Sequence, residues 1–314
     1  MGQAKAIAFT LAAFAAALLV PVQAYAGSPE DDYFAARNAI VAAIKANETN
    51  HKADDNPPLD EKGRADLTRR MQAIVGPVVI KGMSGEPKIN LDTLYEGDQG
   101  FGLLDGLLYT SADDKTRVVV APETVYRRWV VEHKDWWGDK IANVPQGTDD
   151  IFTANAFYTQ ATSTDAAVYK YVALSVTKPD GARVAVAILA GRSQDLAPNA
   201  PDELFVSVVK DGKVFILNAP LAKKIAPIPA CDAIKRDYEK KAEDAFSKAN
   251  ERNREKGSAA TDADANRADE DFSAIQNEGD DKFLACFEAR GRKAGLFTEP
   301  ARQAQALIGL LPEK

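Results

Sequence analysis

The chain contains two cysteines, Cys231 and Cys286, and their midpoint lies beside Gly257-Ser258, where helical composition breaks. Two antiparallel helices folded there bring together residues equidistant from the break. Cys231 then meets Cys286, Ile234 meets Phe283, Tyr238 meets Gly279, Ala242 meets Ile275, Ala245 meets Phe272 and Ala249 meets Ala268. Large faces small, or apolar faces apolar, in each pair, and the positions recur every three or four residues as an amphipathic stripe requires. The sequence therefore predicts a disulfide-stapled helical hairpin over 231–290. A bridge closing a loop of this size contributes about 4 kcal/mol in the chain-entropy picture, which compensates for a thin, Ala-rich stripe. Phe287, Leu296 and Phe297 are expected to dock the stem, and Leu307, Ile308, Leu310 and Leu311 to form a last short helix packed beside it. The distal part, Glu251 to Asp271, is almost wholly polar.

A stable disulfide needs an oxidising compartment, and the N-terminus agrees with one. Lys5 precedes an uncharged, Ala- and Leu-rich stretch, Ala6 to Val20. Pro21 breaks it, and Ala24-Tyr25-Ala26 follows with the small residues a signal peptidase needs. Residues 1–26 are read as a secretory signal, with Gly27 as the first mature residue and a periplasmic or secreted location. No later stretch is apolar enough to span a bilayer, so no membrane span is expected after cleavage. The formal charge is −7, and cleavage removes only Lys5, making the mature chain one unit more acidic. An acidic chain without a Lys/Arg cluster is poorly suited to nucleic acid or to anionic lipid.

Residues 27–220 are expected to form one α+β globular unit, and 221–314 the hairpin with its docking helix. Ser28-Pro29-Glu30-Asp31 opens a helix with a cap, a proline at the first helical position and acids at the positive end of the dipole. Tyr33, Ala36, Ile40 and Ile44 follow at helical spacing. The stretch from Asn47 to Pro58 reads as a loop. A second helix starts near Asp60, presents Leu67, Met71, Ile74 and Val75, and stops at Gly76-Pro77. Strands are then predicted at Val78–Lys81, Leu103–Thr110, Arg117–Ala121, Val125–His133, Ala156–Thr162, Val168–Lys178, Ala182–Ala190, Leu204–Lys210 and Lys213–Asn218. Pro179-Asp180-Gly181 and Asp211-Gly212 are hairpin turns, so Val168 to Asn218 reads as an antiparallel meander. The fold class is α+β: N-terminal helices on a mostly antiparallel sheet, then the hairpin.

The motifs that carry chemistry are weak. Asp262, Asp264 and Asn266 begin like a calcium loop, but Arg267 stands where the turn needs Gly and Ser273 where a bidentate Glu should close the site. They read instead as a helix cap and acidic first turn. Ser175-Val-Thr-Lys178 matches S-x-x-K without its companions and in a predicted strand. Gly82-Met-Ser84-Gly85-Glu86 is a turn with Glu86 where a nucleophile elbow needs Gly. Gly97–Gly102 is Gly-rich but opens no helix. The two histidines, His51 and His133, are too few for a zinc site once both cysteines are bridged. Trp136-Trp137 follows the predicted strand carrying Trp129 and is the best candidate ligand platform. No catalytic, cofactor or metal residues are assigned. The chain is read as a non-enzymatic interaction module that binds an envelope protein through the hairpin arm. The alternative is a small-ligand or cell-wall-fragment binder, or a hydrolase, with its site near Trp136 and Trp137.

Overall fold

The structure, a computed structural model, describes residues 27–49, 60–91, 104–132, 168–171, 174–190, 202–257 and 261–313. Helix α1 spans Pro29–Thr49, three residues into the stretch expected to be loop. Ser28 and Asp31 cap it reciprocally: the Ser28 hydroxyl accepts from the Asp31 N–H at 3.2 Å and donates to the Asp31 carboxylate at 2.8 Å. Helix α2 (Glu61–Val75) starts where expected, with the Asp60 carboxylate accepting from the Gly63 N–H at 2.7 Å. It buries Leu67, Met71 and Val75 and ends at Gly76.

Among the described residues, seven strands form one sheet: β1 (Met83–Asn90), β2 (Gly106–Ser111), β3 (Arg117–Pro122), β4 (Val168–Tyr171), β5 (Arg183–Ala190), β6 (Glu203–Lys210) and β7 (Lys213–Pro220). Their order is β1-β2-β3-β7-β6-β5-β4, and every neighbouring pair is antiparallel. The predicted meander is thus β4 to β7, and its last strand returns against β3. The β6–β7 turn places Asp211 and Gly212 at φ 51° and 71°. This two-residue turn needs left-handed backbone at both positions, which Gly adopts without strain.

One face of the sheet carries Val118, Val120, Leu204, Val206, Phe215 and Leu217, packed in a single core with Tyr33, Leu67 and Met71 from the N-terminal helices and Leu307 and Ile308 from the C-terminal one. The opposite face of the central strands (Val119, Phe205, Val209, Val214, Ile216) is buried as well. Strands buried on both faces read as continuous apolar runs, which is why Leu204–Val209 and Val214–Leu217 show no alternation.

Three strand expectations are corrected. Glu123–Glu132 is helix α3, where the sequence predicts a strand over Val125–His133. Its β-branched and aromatic residues imitate a strand, but their helical penalty is only a few tenths of a kcal/mol each. Packing outweighs it: Val125 and Tyr126 are buried, and the Arg128 guanidinium lies 3.6 Å from the centre of the Phe34 ring. Val78–Lys81 alternates in burial but belongs to no ladder, because the Lys81 N–H donates to the Leu310 carbonyl at 2.9 Å. Strand β1 begins after it, at Met83. The strand predicted to reach Lys178 ends at Tyr171, and Gln305 donates to the Thr177 carbonyl and accepts from its N–H, replacing a strand partner. The strand predicted over Ala156–Thr162 lies outside the described residues.

The C-terminal part comprises α4 (Pro229–Lys256), α5 (Asp262–Lys293) and α6 (Thr298–Ile308).

Candidate interaction surface

The hairpin is the feature that sequence and structure describe in most detail. Cys231 and Cys286 are bridged, with Cα atoms 5.6 Å apart. The bridge sits at the foot, where Cys231, Phe283 and Phe287 join the main core and the Phe287 ring meets Phe297 at 5.4 Å. The stem is docked by the residues expected to dock it.

Beyond the foot, α4 and α5 pack on one another. A Cβ built on Gly279 would stand 2.4 Å from the Tyr238 Cβ, so only glycine allows the helices to approach where Tyr238 crosses. Phe246 and Phe272 pack at 5.5 Å, and Ala242, Ala249 and Ala268 are buried without belonging to the main core. At 28 residues, α4 is roughly 40 Å long. Its distal half is therefore held, among the described residues, by α5.

Charge decorates the outside of this arm in local pairs. Tyr238 lies under Lys241 and Lys282, at 4.4 and 4.8 Å from its ring centre, and its hydroxyl donates to Glu278 at 3.1 Å. Lys282 also donates to Glu278 at 2.6 Å. These contacts hold the Lys282 ammonium above its ordinary pKa, Glu278 first and Tyr238 second, and hold Glu278 below its own. Lys235 pairs with Asp280 at 3.5 Å and Lys241 with Asp237 at 2.7 Å. Such exposed pairs contribute little to stability. Their consequence is a surface of mixed sign that water wets readily.

The Asp262–Asn266 stretch is resolved in favour of a helix start. Thr261 caps α5 and Asp264 returns the bond in a capping box. The Lys256 ammonium, with Thr261 behind it, lowers the Asp264 pKa to about 2. That carboxylate is committed to the cap and to Lys256, not to converging on an ion. Among the described residues, no group of three His, Cys, Asp or Glu side chains is placed to hold a metal ion.

Ser175 and Lys178 lie in an exposed segment outside any strand. Gly82 is in a turn, while Ser84 to Glu86 continue into β1. Trp129 is carried on α3, not on a strand. Trp136, Trp137, His51, His133 and the Gly97–Gly102 run lie outside the described residues. Two arrangements had no reading in the sequence. Tyr33 and Arg37 on α1 both donate to the Asp105 carboxylate, at 2.9 and 2.7 Å, in a buried cluster. On β7, Asn218 is buried, and its Nδ2 meets no acceptor among the described residues. Arg37 had a visible signal, one helical turn after Tyr33 on the apolar face; Asp105 and Asn218 had none.

Compared with known proteins, the chain matches no protein-family model and no curated protein.

Proposed function

We propose that this is an exported protein, periplasmic or secreted, that acts without catalysis by binding another envelope protein through the distal part of its hairpin arm. One observation carries the reading. The arm keeps its shape with its own stripe, cap and disulfide, and its distal residues bury nothing of the main core among the described residues. A helical projection that is already folded is an economical way to present a surface, since little ordering entropy remains to be lost on binding. No described helix is long and apolar enough to cross a membrane, and the disulfide suits an oxidising compartment.

The experiment places a photo-crosslinking residue at Arg252 or Glu270 on the arm, or at Lys223 on the body, in cells making the full chain. Support is one defined protein joined from both arm positions, not from the body, and lost when 248–267 is replaced by a short turn. Equal labelling from arm and body removes the reading.

A second reading is a binder of a small ligand or cell-wall fragment near Trp136 and Trp137, two adjacent aromatic side chains of the kind that form a ligand platform. Unchanged affinity for such a fragment after Trp136→Ala and Trp137→Ala would eliminate that reading.

A further inference from the structure

Among the described residues, strand β1 is an edge of the sheet, and it leaves its partner halfway along. Ser84 pairs with Thr110 and Lys88 with Leu108. Gly85, Glu86 and Pro87 therefore stand opposite one residue, Tyr109. Gly85 takes φ 74°, and Pro87 has no N–H to offer another strand. A bulge of this kind ends pairing locally and re-aims the side chains around it. Between the bulge and the end of α2 lies an open groove of about 420 Å³.

Its walls are Pro77, Val78, Pro87 and Tyr109; its polar rim is Gln72 and Glu86; among the described residues no basic one lines it. Val79, next along the wall segment, is 79 % exposed, the one large apolar side chain so exposed among the described residues. The groove is thus mixed in polarity, with aliphatic walls at Pro77, Val78 and Pro87 and one acidic group, Glu86. An added β-strand does not fit, because a bulge and a proline are the devices that guard a sheet edge. An anion does not fit either, since Glu86 would repel it and no described residue lining the groove is a cation.

The Tyr109 phenol adds one detail. It shares the groove with Glu86, opposite the bulge, and its pKa is raised, by burial first and by the Glu86 charge second. A carboxylate beside an aromatic ring, with aliphatic walls running away from both, complements a cation on an apolar stem. The cation gains the carboxylate and the ring, and the stem covers the walls.

We infer that this groove binds an alkylammonium group, its charge against Glu86 and Tyr109 and its chain along Pro77, Val78 and Pro87. The group can come from a free aliphatic amine or from a lysine of a peptide.

The test titrates the full chain with n-pentylammonium, n-pentanol and pentanoate, followed by the amide NMR signals of Gly76, Gly85 and Tyr109. The expected result is saturable shifts at these amides, with the ammonium bound about tenfold tighter than the alcohol, the size of an exposed charge pair plus a surface cation–π contact. Pentanoate should give none. Glu86→Gln should abolish the tenfold preference with an unchanged unfolding midpoint, because Glu86 is exposed. Tyr109→Phe, which keeps the ring, should retain it. Blocked lysine N-methylamide, compared with the free amine, tells which source is preferred. Equal binding of alcohol and ammonium, or a preference that survives Glu86→Gln, overturns the inference, as does the absence of saturable shifts.

Discussion

Asp105 and Arg37 are 2 % and 3 % exposed, and each charge is stabilised in part by the other. The carboxylate accepts from Arg37 Nε at 2.7 Å and from the Tyr33 hydroxyl at 2.9 Å. Removing one partner leaves a charge in low dielectric, which costs about 3–5 kcal/mol, while removing both for apolar groups is often nearly neutral. Asp105→Ala should therefore shift the urea midpoint by that amount, and the pair Arg37→Met with Asp105→Leu should recover most of it. A double variant no better than the single one would show that the cluster is not a coupled pair. Gly279 makes the complementary case. Gly279→Val places atoms inside Tyr238, and overpacking of this kind costs about 1–3 kcal/mol, readable as a lower unfolding midpoint. The Tyr238–Gly279 contact was legible because antiparallel helices match residues by simple counting. The Asp105 contact was not, because its partner is 68 residues away and nothing local selects it.

At the scale of elements, α3 shows how a helix forms against its composition. Its start is pinned from outside: the Glu123 N–H donates to the Gly212 carbonyl at 2.8 Å, and Thr124 donates to Glu30 at 2.8 Å. The Glu123 carboxylate accepts from Arg183 of β5 at 2.6 Å and from Arg127 at 2.8 Å. Burial works to raise its pKa, and the two arginines outweigh burial, leaving it below the ordinary value of 4.5. A depressed carboxylate contributes stability above its unfolded pKa, and that stability is lost as pH falls through the folded value. The wild-type melting temperature should thus fall more steeply below about pH 4.5 than that of Glu123→Gln. Parallel curves would deny Glu123 this part. The hairpin gives the second prediction at this scale. Changing both cysteines to alanine should cost about 4 kcal/mol. Hydrogen exchange should rise first in α4 and α5, because the bridge holds their foot and the stripe alone is thin.

For the molecule as a whole, the core joins strands, N-terminal helices and the hairpin foot in one cluster, and the distal arm stays outside it among the described residues. Replacing 248–267 with a short turn should therefore leave the unfolding midpoint within about 0.5 kcal/mol of the full chain, as for a change remote from the core. A large loss would mean that the arm braces the body. The sequence by itself determined the local features: the caps at Ser28 and Asp60, the turn at Asp211-Gly212, and the hairpin with its Cys231–Cys286 bridge. Each follows from residues close in the chain or placed symmetrically about one break, where geometry leaves few alternatives. Tertiary structure alone decided whether Val125–Glu132 became helix, where β1 began, the strand order and the burial of both sheet faces. It also decided the Asp105 cluster and the groove at Tyr109. Those depend on which distant backbone or side chain arrives to take a hydrogen bond or cover an apolar surface, and local propensities of a few tenths of a kcal/mol per residue are too small to choose among such partners.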